Sequence, residues 1–166
     1  MTLSSALAAG EPADRTIYLA HRARVATAEA IAGVLSDLRL NGSLGLILET
    51  LLELGEASAA ELARRTLVTR QALTAPLNEL QARGLVHRDE SAAGVKTRPV
   101  TLTTQGRALT EIVRDRTHRL ERAAEREFTA DELATLRILL DKYAASWERL
   151  AMSPPVHPAL QAIADA

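Results

Sequence analysis

The sequence contains no cysteine, which excludes a disulfide framework, a thiolate metal site and a thiol redox switch. Aromatic residues are nearly missing as well: Tyr18, Phe128, Tyr143 and Trp147 make up 2% of the chain. That scarcity argues against the modules that hold single-stranded nucleic acid by stacking bases on aromatic rings. No apolar run approaches the ~20 residues that a membrane-spanning helix needs, and the first residues lack the basic-then-apolar order of a signal peptide. A cytoplasmic protein with no membrane partner is expected. His21, His87, His118 and His157 are scattered, and no His-Glu-x-x-His, Gly-x-Ser-x-Gly or phosphate-cradling glycine loop occurs. Catalytic residues, metal ligands and cofactors are therefore expected to be none, and the chain is not expected to be an enzyme.

What remains is an ordinary globular composition, 47% hydrophobic and 25% charged over 166 residues. That length suits one compact domain, or a small domain with an oligomerisation element. The net charge of −1 hides an uneven distribution. Between Arg64 and Arg98 lie seven bases (Arg64, Arg65, Arg70, Arg83, Arg88, Lys96, Arg98) against Glu79, Asp89 and Glu90, so this stretch is +4 and the rest −5. A basic module sits inside an acidic frame, a local footprint for a polyanion that the total charge conceals.

Residues 1–13 are small and polar and read as a flexible arm. From Asp14 to Leu38 the apolar positions step by three and four, as in an amphipathic helix, with Arg24 where an apolar residue belongs. Asn41 and Gly42 break it. The leucine-rich stretch from Leu44 to Leu54 predicts a buried helix that ends at Gly55. Ser58-Ala-Ala-Glu61 predicts a reciprocal capping box that opens a short third helix to Thr66. After a turn at Leu67–Thr69, Thr69 caps a fourth helix whose inner face is Leu73, Leu77 and Leu80, and Gly84 closes it. Leu85–Asp89 and Pro99–Thr103 predict a two-stranded ribbon with a basic tip. A fifth helix then runs to Arg126, and Thr129 with Glu132 opens a sixth that ends near Ala151. Residues 152–166 form a proline-bearing tail.

Helix, helix, turn, helix and ribbon is the order of a mainly α winged helix-turn-helix, and the +4 stretch falls on its DNA-facing parts. In such a module the second helix of the pair enters the major groove while basic residues grip phosphate. The outward face of the fourth helix carries Arg70, Gln71, Thr74, Ala75, Asn78 and Gln81. Pro76 lies within it and would either bend the helix or let Thr74 cap a second segment. The candidate DNA-binding residues are Arg64, Arg65, Thr69, Arg70, Gln71, Thr74, Ala75, Asn78, Arg88, Lys96 and Arg98.

The stretches Glu61-Leu-Ala-Arg64-Arg65, Val68-Thr-Arg70-Gln-Ala-Leu73, Leu80-Gln-Ala-Arg83-Gly84-Leu85-Val86 and Leu102-Thr103-Thr-Gln-Gly106-Arg107 resemble the MarR (multiple antibiotic resistance regulator) family in order and spacing. The resemblance implies about six helices with a two-stranded wing. It further implies a homodimer held by a helical dimerisation domain (14–40 and 104–151), and a winged helix-turn-helix (41–103) on pseudo-palindromic double-stranded DNA. A repressor released by a small aromatic or anionic effector fits that pattern. The wing departs from the family's usual Asp-x-Arg, since Gly94-Val95-Lys96 stands there. Arg24, with His21 beside it, is the candidate effector site. As a guanidinium at a buried position, Arg24 should otherwise be neutralised by an acid such as Glu111 or Asp115. The alternative reading is a dimeric interaction scaffold that keeps the winged fold without binding specific DNA.

Overall fold

The structure, a computed structural model, describes residues 15–88 and 99–151. The expected arm, the ribbon tip with Lys96 and Arg98, and the expected tail lie outside the described residues. In chain order the elements are α1 (Thr16–Leu35), α2 (Gly42–Leu54), β1 (Glu56–Ser58), α3 (Ala59–Arg65), α4 (Arg70–Ala82), β2 (Val86–Arg88), β3 (Pro99–Leu102), α5 (Thr104–Ala124) and α6 (Ala130–Ala151). They fall into two compact units, one running through Glu121 and the other starting at Arg122. No single helix among the described residues is long and apolar enough to cross a membrane.

In the first unit α1 stops three residues short of the expected helix and tightens into a 3-10 turn at Ser36–Leu38, followed by left-handed Arg39 (φ 53°). The Ser36 hydroxyl donates to the Gly33 carbonyl at 2.9 Å, a local bond that competes with regular helix. Asn41 then starts α2, its Oδ1 accepting the Leu44 amide at 2.9 Å. Leu44, Ile47, Leu48 and Leu51 of α2 form the middle of the core, packed with Leu35, Leu62, Leu73, Leu77, Leu80, Val100 and Val113. Leu46 on the other side is 47% exposed, so α2 is not buried all round as its apolar sequence suggests.

The ribbon is a three-stranded antiparallel sheet in the order β1-β3-β2, with Ala57 opposite Val100 and Arg88 opposite Val100 on the other flank. The third strand corrects the expectation of two. β1 has only three residues and one buried side chain, Ala57, which is too short for alternation to show in the sequence. The capping box of α3 is also only half formed. Ser58 Oγ accepts the Glu61 amide at 3.1 Å, but the Glu61 carboxylate turns to Arg64 and Arg65. Two guanidiniums one turn away outcompete a neutral amide for the carboxylate.

Helix α3 closes through Leu67 in the left-handed region (φ 56°), with the Val68 amide donating to the Ala63 carbonyl at 3.1 Å. Helix α4 closes as the sequence predicts: Gly84 has φ 68°, and the Leu85 amide donates to the Leu80 carbonyl and the Gly84 amide to the Gln81 carbonyl, both at 2.9 Å. Thr103 fastens the start of α5 to this corner, accepting the Gly106 amide at 2.9 Å and donating to the Gly84 carbonyl at 2.7 Å.

Helix α5 ends at Ala124, two residues before the expected limit, and passes into a 3-10 turn at Glu125–Glu127. In the second unit the capping box of α6 is complete. The Thr129 amide donates to the Glu132 carboxylate at 2.8 Å, and Thr129 Oγ1 accepts the Glu132 amide at 3.3 Å. The Thr129 amide, and then the Thr129 hydroxyl donating at 2.8 Å, hold the Glu132 carboxyl below its ordinary pKa. Arg137 pairs with Glu125 at 2.7 Å, and Tyr143 meets Trp147 edge-on with centroids 6.0 Å apart. Along α6, Leu136, Ile138, Leu139, Leu140, Trp147 and Leu150 are exposed.

Candidate nucleic-acid interface

Helices α3 and α4 with their turn form the helix-turn-helix, and the N-terminus of α4 is fixed by Thr69, whose Oγ1 accepts the Ala72 amide at 3.1 Å. Burial of Leu73, Leu77 and Leu80 leaves Arg70, Gln71, Thr74, Ala75 and Asn78 exposed along one side of α4. Gln81, expected outward, is half-buried. Helix α4 runs unbroken from Arg70 to Ala82 with Pro76 inside it. Thr74 caps no second segment; its hydroxyl donates back to the Arg70 carbonyl at 3.4 Å. That bond uses the hydroxyl proton, so Thr74 presents its lone pairs outward. Arg70 and Gln71 have side chains with no partner among the described residues.

Arg64 and Arg65 converge on Glu61, with Nε of Arg64 at 3.1 Å and Nε of Arg65 at 3.2 Å. The hydrogen bonds from Arg64 and then Arg65 hold the Glu61 carboxyl below its ordinary pKa, and Glu61 raises that of Arg64. One carboxylate shared by two guanidiniums leaves a net positive, exposed edge on α3. Arg88 of β2 donates from Nη1 to Asn78 Oδ1 at 3.0 Å, tying the sheet to the outward face of α4. The remaining two wing residues expected at this surface, Lys96 and Arg98, lie outside the described residues.

Two arginines outside the candidate DNA-binding set, Arg83 and Arg116, hold the turn that follows α1. Arg83 donates to the Leu38 carbonyl at 2.9 Å and the Arg39 carbonyl at 2.7 Å, capping the end of the α1 turn from the C-terminus of α4. Arg116 of α5 donates to the Val34 carbonyl at 2.9 Å and to the Asp37 carboxylate at 3.0 Å. The turn from Val34 to Arg39 is thus held from both sides. The bond from Arg116 keeps the Asp37 carboxyl below its ordinary range, and Asp37 raises Arg116. Helix C-terminal carbonyls attract cations, but nothing in the linear sequence links residue 83 to residues 38 and 39.

Arg24 departs from its expectation. It is exposed on α1, and its guanidinium has no hydrogen-bond or ion-pair partner among the described residues. Glu111 pairs with Arg114, and Asp115 with Arg119 at 3.0 Å, so neither neutralises Arg24 within this chain. The apolar spacing around Arg24 belongs to a stripe on α1 whose C-terminal end, Ile31 and Leu35, packs into the core, while Ile17 and Ala28 are exposed among the described residues. His21 lines a shallow groove along α1 with Tyr18, Arg22, Val25, Ala26 and Glu29; Arg24 is not part of its lining.

The sequence profile of the MarR family matches residues 42–94, which span α2 through β2. The HTH-type transcriptional repressor Rv2887 of Mycobacterium tuberculosis is 36% identical over 92 residues, 55% of this chain and 66% of that protein, so the match spans just under two thirds of the relative. Among solved structures, a mutant MarR from E. coli complexed with operator DNA is 28% identical, covers 75% of this chain and 90% of its own, and superposes with a TM-score of 0.69. NadR in complex with 4-hydroxyphenylacetate is 25% identical, with 78% and 91% coverage and a TM-score of 0.65. Over residues 42–94, which carry the helix-turn-helix, this chain matches the MarR family, and its fold is similar to that of solved winged-helix MarR proteins.

Proposed function

We propose that the protein is a sequence-specific double-stranded-DNA-binding transcriptional repressor that acts as a homodimer on a pseudo-palindromic operator. The observation that carries this reading is the outward side of α4, where Arg70, Gln71, Thr74 and Asn78 stand exposed at helical spacing between the Arg64–Arg65 edge and Arg88. Amides and a hydroxyl at that spacing match the donor and acceptor pattern of base edges, and flanking guanidiniums match phosphate. The relative solved with operator DNA supports the same use of the fold. Lys96 and Arg98 complete the basic surface in this reading. Residues 14–40 and 104–151 form the dimerisation part, supported by the exposed apolar side chains of α1 and α6, including Ile17, Leu19, Ile138 and Leu139.

Selection of bound sequences from random duplexes, followed by gel shift and sedimentation, tests the reading. The expected result is a dimer on half-sites about 10 bp apart, centre to centre. Gln71→Ala is expected to relax one base position at a cost of about 1–3 kcal/mol. A protein that enriches no sequence would leave the interaction-scaffold reading in its place. For the effector, Arg24 and His21 are our assignment, supported by the absence of a partner for Arg24 among the described residues and by a relative that holds 4-hydroxyphenylacetate. Arg24→Met should abolish the thermal shift given by aromatic acids; an unchanged response would place the effector elsewhere.

A further inference from the structure

The bond between Arg88 and Asn78 decides what Asn78 can read. A guanidinium carries five N–H donors and no acceptor, so only the oxygen of an amide can face it. The Nη1···Oδ1 bond of 3.0 Å therefore fixes the orientation of the Asn78 amide. An unengaged asparagine recognises adenine by offering its oxygen to the N6 amino group and its NH2 to N7, side by side. Here the oxygen is already held by a charged donor from the sheet. That bond takes one of the two lone pairs of Oδ1 and sets the direction of the amide, so the NH2 group keeps both donors while the oxygen has one lone pair left beside a cation.

Asn78 lies two turns after Gln71 on the same side of α4, exposed, while Arg88 behind it is half-buried. In the major groove guanine offers two acceptors, N7 and O6; adenine offers one acceptor beside a donor, thymine one acceptor beside a methyl, and cytosine a donor. Donors alone fit guanine best and cytosine worst. The positive charge of Arg88 behind the amide adds to the preference, because it polarises the NH2 and faces the acceptor edge of guanine. We infer that Arg88 sets the base specificity of Asn78, turning an adenine-type reader into one dominated by its donors, which selects guanine. This inference rests on the DNA-binding reading above.

The test compares base rankings selected from random duplexes by the wild-type protein, Arg88→Met and Asn78→Asp, each checked for folding by circular dichroism. The wild type should favour guanine over adenine by about tenfold at one position per half-site, the worth of one well-placed side-chain contact. Arg88→Met frees Oδ1, and adenine should overtake guanine there while the other positions keep their ranking. Asn78→Asp keeps an acceptor for Arg88 but removes both donors, so the guanine preference should vanish at that position alone; this variant gives the answer if Arg88→Met fails to fold. If Arg88→Met weakened every sequence alike, or Asn78→Asp left the ranking intact, the inference would be overturned, and Arg88 would be a phosphate contact only. A wild type that enriches no duplex would instead overturn the DNA-binding reading, and this inference with it.

Discussion

The α-carbon of Gly106 lies against the backbone of Leu85, so that a Cβ on residue 106 would overlap the Leu85 carbonyl oxygen and stand 2.8 Å from its carbon. Both atoms belong to the main chain at the corner where α4 passes into β2 and α5 begins. Neither can rotate away. Gly106→Ala should therefore cost on the order of 1–3 kcal/mol or more, the range for forced overpacking. At Gly45 the nearest atoms are side-chain carbons of Leu35 and Val113, at 3.2 and 3.4 Å, which can shift. Gly45→Ala should thus cost clearly less in urea unfolding, and equal losses at the two sites would contradict the argument.

The ion pair of Asp37 with Arg116 makes a specific statement about acid. A carboxyl whose folded pKa is depressed contributes stability that is fully present above its unfolded value, about 4. That contribution is lost as the pH falls through the depressed folded value. Asp37→Asn should lower the urea midpoint at pH 7 and still lower it at pH 5. The gap should begin to narrow as the pH falls below about 4, where the unfolded carboxyl takes up its proton, and close only below the depressed folded value. A gap that stayed constant from pH 7 to pH 3 would show that the charge of Asp37 is not what Arg116 holds.

Leu67 presents the opposite case, strain without burial. It is 84% exposed and sits at φ 56°, the left-handed position that ends α3. That conformation costs an ordinary L-residue about 1–2 kcal/mol. Leu67→Gly removes the strain, loses little packing and increases the freedom of the unfolded chain, which offsets part of the gain. The melting temperature should hold or rise slightly. A clear drop would mean that the Leu67 side chain packs against something in the assembled protein.

The helices were legible in the sequence because their signals are local and periodic: Asn41, Thr69, Gly84 and the Thr129–Glu132 box all lie where the chain turns into or out of a helix. The third strand was not, because three residues carry no period. The half-formed box at Ser58 shows the same limit in another way, since Glu61 had a choice of partners and the charged ones won. At the candidate interface the outward residues of α4 follow from its leucine face. What the sequence could not show is which of them are already engaged: Asn78 by Arg88, and Thr74 by its own helix. Arg83 and Arg116 act across separations of 44 and 82 residues, on carbonyls that have no signature in the sequence at all.

Pro76 offers the sharpest test of how stability and recognition are balanced in α4. A proline inside a helix lacks the amide that would bond the Ala72 carbonyl and crowds that carbonyl with its ring, at about 3 kcal/mol relative to alanine. Helix α4 nevertheless runs unbroken, because Thr69 fixes one end, Gly84 closes the other, and Leu73, Leu77 and Leu80 anchor the turns between. Pro76→Ala restores the missing bond and loses part of a half-buried ring, so a net gain of about 1–3 kcal/mol is expected, or a few degrees in melting temperature for a chain of this size. The same change should alter DNA recognition unevenly. Thr74 and Asn78 flank the proline and would be re-aimed, whereas Gln71 precedes it by more than a turn. Base ranking should therefore change at the positions read by Thr74 and Asn78 and hold at the one read by Gln71. A stabilised variant with every position unchanged would mean that the proline does not set the aim of the helix.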